Sequence, residues 1–245
     1  MDYLKVRKNL VERIRSFMGD HNAVIGESGG VDSALVTYLC EEALGKDRLI
    51  VRTMPYGDQS TADADDVGLI LGLPNYNKIN IKSIVDEFGF YNRLSIGNTR
   101  ARVRMTILYG IASENNGLVI GTSNKTEIML GYFTKFGDGG VDVEPIGDLY
   151  KTQVWELAKT YPKFPVRIFT KLPSAELWEG QTDEGEIGMT YKEMDEILKR
   201  IGSEGLDLGN EERLKSEFGE NKVNIILKRI ADSEHKRKMP ETFLA

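Results

Sequence analysis

Among 245 residues the chain has one cysteine, and no apolar run approaches the ~20 residues needed to span a bilayer. A single cysteine excludes an intramolecular disulfide framework and any multi-cysteine metal site. Cys40, inside the apolar stretch 34–44, reads as a small core residue. Positive charge is also scarce: Lys and Arg total 32 against 38 Asp and Glu, a net charge of −6 that argues against a general nucleic-acid binder. The N-terminus, Met1 to Lys5, lacks the uninterrupted apolar core and small-residue cleavage site of a signal peptide. The expected setting is therefore a reducing cytoplasm, with no membrane and no nucleic acid as partner. The length suffices for one sizeable α/β core. No internal repeat, low-complexity tract or interdomain linker divides the chain, so residues 1–245 read as a single domain.

The most informative segment is Gly26-Glu27-Ser28-Gly29-Gly30-Val31-Asp32-Ser33. It follows a short apolar run, Ala23 to Ile25, and opens a helix-like segment from Val31 to Leu44. A strand, a glycine turn and a helix in that order leave backbone N–H groups free at a helix N-terminus, a site suited to phosphate. Gly29 and Gly30 permit close approach, Ser28 and Ser33 add hydroxyl donors, and Asp32 offers a carboxylate to a nucleotide's Mg²⁺. A Walker loop ends in Gly-Lys-Ser or Gly-Lys-Thr, and there is no such lysine here. The segment instead resembles the SGGxDS loop of the ATP pyrophosphatases, although a Gly/Ser turn capping an ordinary helix would use similar residues.

Apolar periodicity places a helix before this loop, through Leu4, Val6, Leu10, Ile14 and Phe17. Strands are expected at 49–54 and 76–81 and a short one at 118–120, with helices at 58–71 and about 98–114. This alternation predicts a doubly wound parallel sheet, whose ligands bind beyond the carboxyl ends of the strands. Both Gly26–Ser33 and Gly121–Asn124 would open on that edge. Segments 131–147 and 173–188 are rich in glycine and acids and carry little periodicity, which suits lids or binding loops. Residues 191–233 read as two or three helices.

Seven motifs, in order, are GESGGVDS at 26–33, GNTRAR at 97–102, GTSNKTE at 121–127, GYFTKFGDGGVDVEP at 131–145, LYKTQ at 149–153, PSAELWEGQTDE at 173–184 and HKRKMP at 235–240. Together they resemble the ammonia-dependent NAD synthetases over residues 20–240, the 131–145 block being the most specific. The resemblance implies an adenine nucleotide alpha hydrolase-like (Rossmann-like) α/β fold with C-terminal helices. It implies an ATP-dependent, amide-forming ligase working as a homodimer on deamido-NAD, ATP and ammonia, with Mg²⁺. By this match Gly26, Glu27, Ser28, Gly29, Gly30, Val31, Asp32, Ser33, Thr122, Lys151 and Ser174 belong to the ATP site, and Asp32 and Glu127 are the metal ligands. Arg102, Lys135, Asp142, His235 and Lys236 fall at deamido-NAD positions; Asn98 is a candidate to orient that substrate, Tyr132 and Phe133 to wall its nicotinate ring, and Asp138 to stand beside it. The catalytic candidates are Lys151, toward phosphate, and Asp138, to accept the proton of ammonium and leave NH₃ as nucleophile.

Glu27 departs from the pattern, since such proteins usually carry an apolar residue before Ser-Gly-Gly. A carboxylate there is unfavourable to phosphate unless it points away, pairs with a cation or helps bind metal. The competing readings are another pyrophosphatase-type ligase or tRNA-modifying enzyme, disfavoured by the acidic charge and single cysteine, and a non-catalytic nucleotide module, disfavoured by Asp32, Glu127, Lys151 and Asp138 together.

Overall fold

A computed structural model describes residues 1–171, 174, 180, 182–204 and 208–243. Four parallel strands, β1 (Asn22–Gly26), β2 (Leu49–Thr53), β3 (Tyr76–Lys78) and β4 (Gly117–Ile120), lie in the order β3-β2-β1-β4. In chain order the helices are α1 (Tyr3–Met18), α2 (Val31–Leu44), α3 (Ala62–Leu71), α4 (Lys82–Asp86), α5 (Arg93–Glu114), α6 (Lys125–Leu130), α7 (Lys151–Ala158), α8 (Val166–Thr170), α9 (Asp183–Ile187), α10 (Tyr191–Glu204), α11 (Leu208–Phe218) and α12 (Glu220–Asp232).

Side chains of β1 alternate between two cores, as a strand covered on both faces requires. Ala23 and Ile25 pack with α1, α2 and α7 on one face; Val24 packs with Val85 of α4 and Val103, Leu108 and Ala112 of α5 on the other. A third apolar cluster joins α6 to α10, α11 and α12 through Leu130, Tyr191, Met194, Ile197, Val223 and Ile226. The expected doubly wound α/β sheet with C-terminal helices is therefore present. No helix among the described residues is long and apolar enough to cross a membrane. Cys40 is fully buried, and burial pushes its thiol up to about 12.

Three boundaries move. α3 begins at Ala62 rather than residue 58, because Gln59 and Thr61 serve the turn: Tyr56 N–H donates to Gln59 Oε1 at 3.0 Å and Thr61 Oγ1 donates to Asp65 at 2.9 Å. β3 ends at Lys78, although Ile79 N–H and Ile81 N–H still donate to Thr53 O and Pro55 O at 2.9 Å beyond the regular ladder. α5 starts at Arg93, earlier than expected, because Asn92 caps it by accepting from Leu94 N–H and Ser95 N–H. The two or three helices expected between 191 and 233 are three, α10, α11 and α12. Most of the irregular 173–188 segment up to residue 181 lies outside the described residues, and α9 fills its end.

Candidate active site

Ile25 of β1 is in register with Ile120 of β4, so the loops that follow these two strands emerge side by side. Strand order reverses here, with β2 on one side of β1 and β4 on the other, which is where open α/β sheets bind ligands. A cavity of about 430 Å³ opens over this edge.

The loop after β1 turns at Gly29, whose φ of +81° lies in the left-handed region. A Cβ on Gly29 would stand 2.7 Å from Asp63 Cβ and 2.9 Å from the backbone nitrogen of Ala64, so α3 also excludes a side chain there. Asp63 is in turn held by Arg167 Nε at 2.6 Å and Lys171 Nζ at 3.2 Å. Ala34 N–H is the first amide of α2 to bond back, to Gly30 O at 3.0 Å. The N–H groups of Val31, Asp32 and Ser33 have no acceptor among the described residues, as the first turn of a helix dictates. With Ser28, which is exposed beside them, these residues line the cavity and offer donors of the kind that suit an anion.

The loop after β4 supplies the second half. Asn124 caps α6: it accepts from Glu127 N–H at 3.0 Å, while Glu127 Oε2 accepts from Asn124 N–H at 3.1 Å. Asn124 Nδ2 donates to Asp32 Oδ1 at 2.9 Å and so ties the two loops together. Lys151, only 3% exposed, sits at the start of α7 and pairs with both Asp32 and Glu127 Oε1, the latter at 3.4 Å. Its backbone is fixed from below: Lys151 N–H donates to Thr126 Oγ1 at 3.0 Å, and Thr126 donates to buried Asp195 at 2.5 Å. Burial opposes the Lys151 charge, but Asp32 and Glu127 outweigh it and hold the ammonium above the ordinary lysine range. Burial pushes Glu127 upward, with Lys151 partly offsetting the push.

The 131–145 block forms the cavity wall. Thr134 links two candidates, donating its hydroxyl to Asn98 Oδ1 at 2.8 Å and its N–H to Asp138 Oδ1 at 2.9 Å. Asn98, Asp138, Tyr132, Phe133, Thr122 and Ser174 all line the cavity, as do Gly26, Glu27, Ser28, Gly30, Val31, Asp32, Ser33, Glu127 and Lys151. Lys236 also lines it, with its Nζ donating to the carbonyls of Gly131 at 2.7 Å and Phe133 at 2.6 Å.

Five candidates do not line the cavity, the first being Gly29, whose N–H donates to Glu27 Oε1 at 2.9 Å instead. Arg102 is exposed on α5 and lies 3.3–3.4 Å from Lys135 O. Lys135 Nζ donates to His235 O at 2.7 Å, and His235 is exposed. Asp142 serves the sheet edge, accepting from Val119 N–H at 2.7 Å and Tyr109 OH at 3.2 Å. Arg237, in the same basic run, donates to the carbonyls of Met129 and Ile230, so part of that run is structural.

Sequence reasoning missed Asn124, although its N-K-T-E context is a legible capping box. It missed Glu144, whose Oε2 accepts from Ser123 N–H at 2.9 Å behind the second loop. A Cβ on Gly121 would come within 2.3 Å of that carboxyl, and burial pushes Glu144 up to about 8. Tyr191, whose hydroxyl donates to Asp183 at 2.8 Å, carries no local signal of its position, whereas the cavity-lining Arg104 belongs to the basic run Arg100, Arg102 and Arg104 that the sequence shows. Among the described residues no group of three or more His, Cys, Asp or Glu is arranged to hold a metal. Asp32 and Glu127, in the first turns of α2 and α6 and both bonded to Lys151, are the carboxylates that would suit an ion completed by phosphate oxygens and water, the usual habit of Mg²⁺.

A family model described as NAD synthase matches residues 3–240. An NH(3)-dependent NAD(+) synthetase of Fusobacterium nucleatum is 44% identical over 246 residues, covering 96% of this chain and 94% of the relative. The solved NH3-dependent NAD synthetase of Campylobacter jejuni superposes with a TM-score of 0.82 at 33% identity, covering 100% of both chains. An NMN synthetase of Francisella tularensis superposes with a TM-score of 0.84 at 32% identity, covering 99% of this chain and 98% of that one.

Proposed function

Because the chain belongs to the NAD synthase family, we propose that it is an ammonia-dependent NAD synthetase that adenylates deamido-NAD with ATP and then amidates the adenylate. The observation that carries this reading is the buried Asp32–Lys151–Glu127 group set between two strand-end loops at the mouth of an anion site. A carboxylate is a poor electrophile, and its attack on ATP brings two anions together, so fixed cations and N–H dipoles must offset the repulsion. The nicotinate carboxylate oxygen attacks the α-phosphorus, and pyrophosphate leaves onto Ser28, Gly30 and the N–H groups of Val31, Asp32 and Ser33. Lys151 neutralises charge developing on the phosphate oxygens. Magnesium, held by Asp32 and Glu127, would add positive charge at the same oxygens. Asp138 takes a proton from ammonium, the resulting NH₃ attacks the activated carbonyl carbon, and AMP departs as the leaving group.

Tyr132 and Phe133 offer an aromatic wall for the nicotinate ring beside Asp138 and Asn98. Arg102, Lys135 and His235 stand outside the cavity, so they would meet only a part of the dinucleotide that extends beyond it. Exposed Ile84, Phe88, Phe90, Tyr91 and Leu94, with Tyr91 97% exposed, support a homodimer formed through the α4–α5 segment. Substituting Tyr91→Asp together with Phe90→Asp should convert a dimer to monomers in sedimentation analysis; an unchanged mass places the interface elsewhere. The buried single thiol and acidic charge suit the cytoplasm.

A structural relative that is an NMN synthetase makes the acceptor the point to test. With saturating ATP, kcat/KM for deamido-NAD should exceed that for nicotinate mononucleotide by at least about tenfold, a difference of ~1.4 kcal/mol in transition-state binding. The reverse preference would reassign the substrate while leaving the chemistry in place.

A further inference from the structure

Glu27 lies beneath the anion site, 2% exposed and with no cation at ion-pair distance among the described residues. Its Oε1 accepts from Gly29 N–H at 2.9 Å and from Ser33 Oγ at 2.5 Å, and its Oε2 meets Thr37 Oγ1 at 2.7 Å. These contacts reach both sides of the turn: Gly29 at its left-handed residue, Ser33 and Thr37 one helical turn apart on α2. The acid therefore points away from the phosphate position.

Thr37 has one hydroxyl hydrogen and two oxygens in reach, Glu27 Oε2 and Ser33 O at 2.9 Å. Thr37 Oγ1 donates to Glu27 Oε2, so with Gly29 N–H and the Ser33 hydroxyl three donors converge on the carboxyl group. Tied to the turn and to α2 by these donors, the carboxyl group is directed away from the ligand side, which resolves the conflict the sequence raises at this position. Burial pushes the Glu27 carboxyl upward, and the bonds from Ser33, Thr37 and Gly29 partly offset the push.

We propose that Glu27 is a positioning residue for pyrophosphate: as a buried carboxyl group it latches the Ser28–Gly30 turn onto α2 through Gly29, Ser33 and Thr37. The latch turns Gly29 N–H and the Ser33 hydroxyl inward, and leaves Ser28 and the first amides of α2 facing the ligand. This rests on the nucleotide reading of the loop given above. In such a latch a carboxamide can replace the acid, its oxygen accepting from Gly29 and Ser33 and its NH₂ donating to Thr37. An alanine cannot.

The test is inorganic pyrophosphate binding to the full chain by calorimetry, with KM for ATP and thermal midpoints measured in parallel. Glu27→Ala should weaken pyrophosphate binding and raise KM for ATP about tenfold, with KM for deamido-NAD little moved. Glu27→Gln should recover binding to within about threefold of the parent, and Thr37→Val should show an intermediate loss. A merely structural residue would lower the thermal midpoint of Glu27→Ala without changing affinity in the folded protein, and that result overturns the proposal. So does a Gln variant no better than Ala, or an Ala variant that binds more tightly because Gly29 and Ser33 are freed. Should the parent protein itself bind no pyrophosphate, the nucleotide reading fails and the latch with it; if the parent binds and the variants match it, only the latch fails.

Discussion

Replacing Lys151 with methionine should lower ATP-dependent turnover by about 100- to 1000-fold, the range seen when one preorganised donor to a transition-state oxyanion is removed. Methionine keeps the stem that packs at the start of α7 and removes only the charge. Asp32 and Glu127 would then face each other uncompensated in a mostly buried site, a loss of about 3 kcal/mol of stability. The pH dependence has a definite sign. Burial already raises Glu127, and Lys151 is the group that offsets it. Without the ammonium, the folded-state pKa rises further above its unfolded value. Such a group contributes stability that is fully present below the unfolded pKa and is lost as pH rises through the folded pKa. Thermal midpoints of Lys151→Met should therefore go on falling above pH 8, where the loss from Glu127 in the parent protein is nearly complete, as scanning calorimetry would read. Parallel midpoints together with near-normal turnover would remove Lys151 from the centre of the site.

Substituting Asp138→Asn should separate the two half-reactions. The variant keeps the bond from Thr134 N–H, because the amide oxygen accepts as the carboxylate does, but it cannot take a proton from ammonium. Rapid-quench assays should show a burst of pyrophosphate close to one per site, while NAD formation drops about 100- to 1000-fold. Alkaline pH should restore part of the loss, because ammonia in solution is then already deprotonated. Equal losses in pyrophosphate and NAD would move Asp138 from ammonia to adenylation.

The sheet and its ligand-binding edge were legible because the relevant signals are local. The apolar strands β1, β2 and β4, the glycine turn at 26–33 and the burial-rich α2 each declare themselves within a dozen residues. The pairing of Asp32 with Glu127 and Lys151 was legible only through the resemblance, because 92 to 119 positions separate Asn124 and Lys151 from Asp32. Arg102, Lys135, His235 and Asp142 show the converse. Their types suit an anionic dinucleotide, yet whether a side chain faces the cavity depends on helix phase and on which carbonyls need donors. Backbone demand takes Lys135 and turns Asp142 toward β4. Glu27 was legible as an anomaly but not as a latch, since its explanation requires Thr37, an inconspicuous helical residue ten positions on.

The most direct test follows NAD, AMP and pyrophosphate together from deamido-NAD, ATP and Mg²⁺, with and without ammonium. The account predicts NAD only when ammonium is present, in equal amounts with AMP and pyrophosphate. Binding of ATP with no NAD and no pyrophosphate under any of these conditions would contradict it.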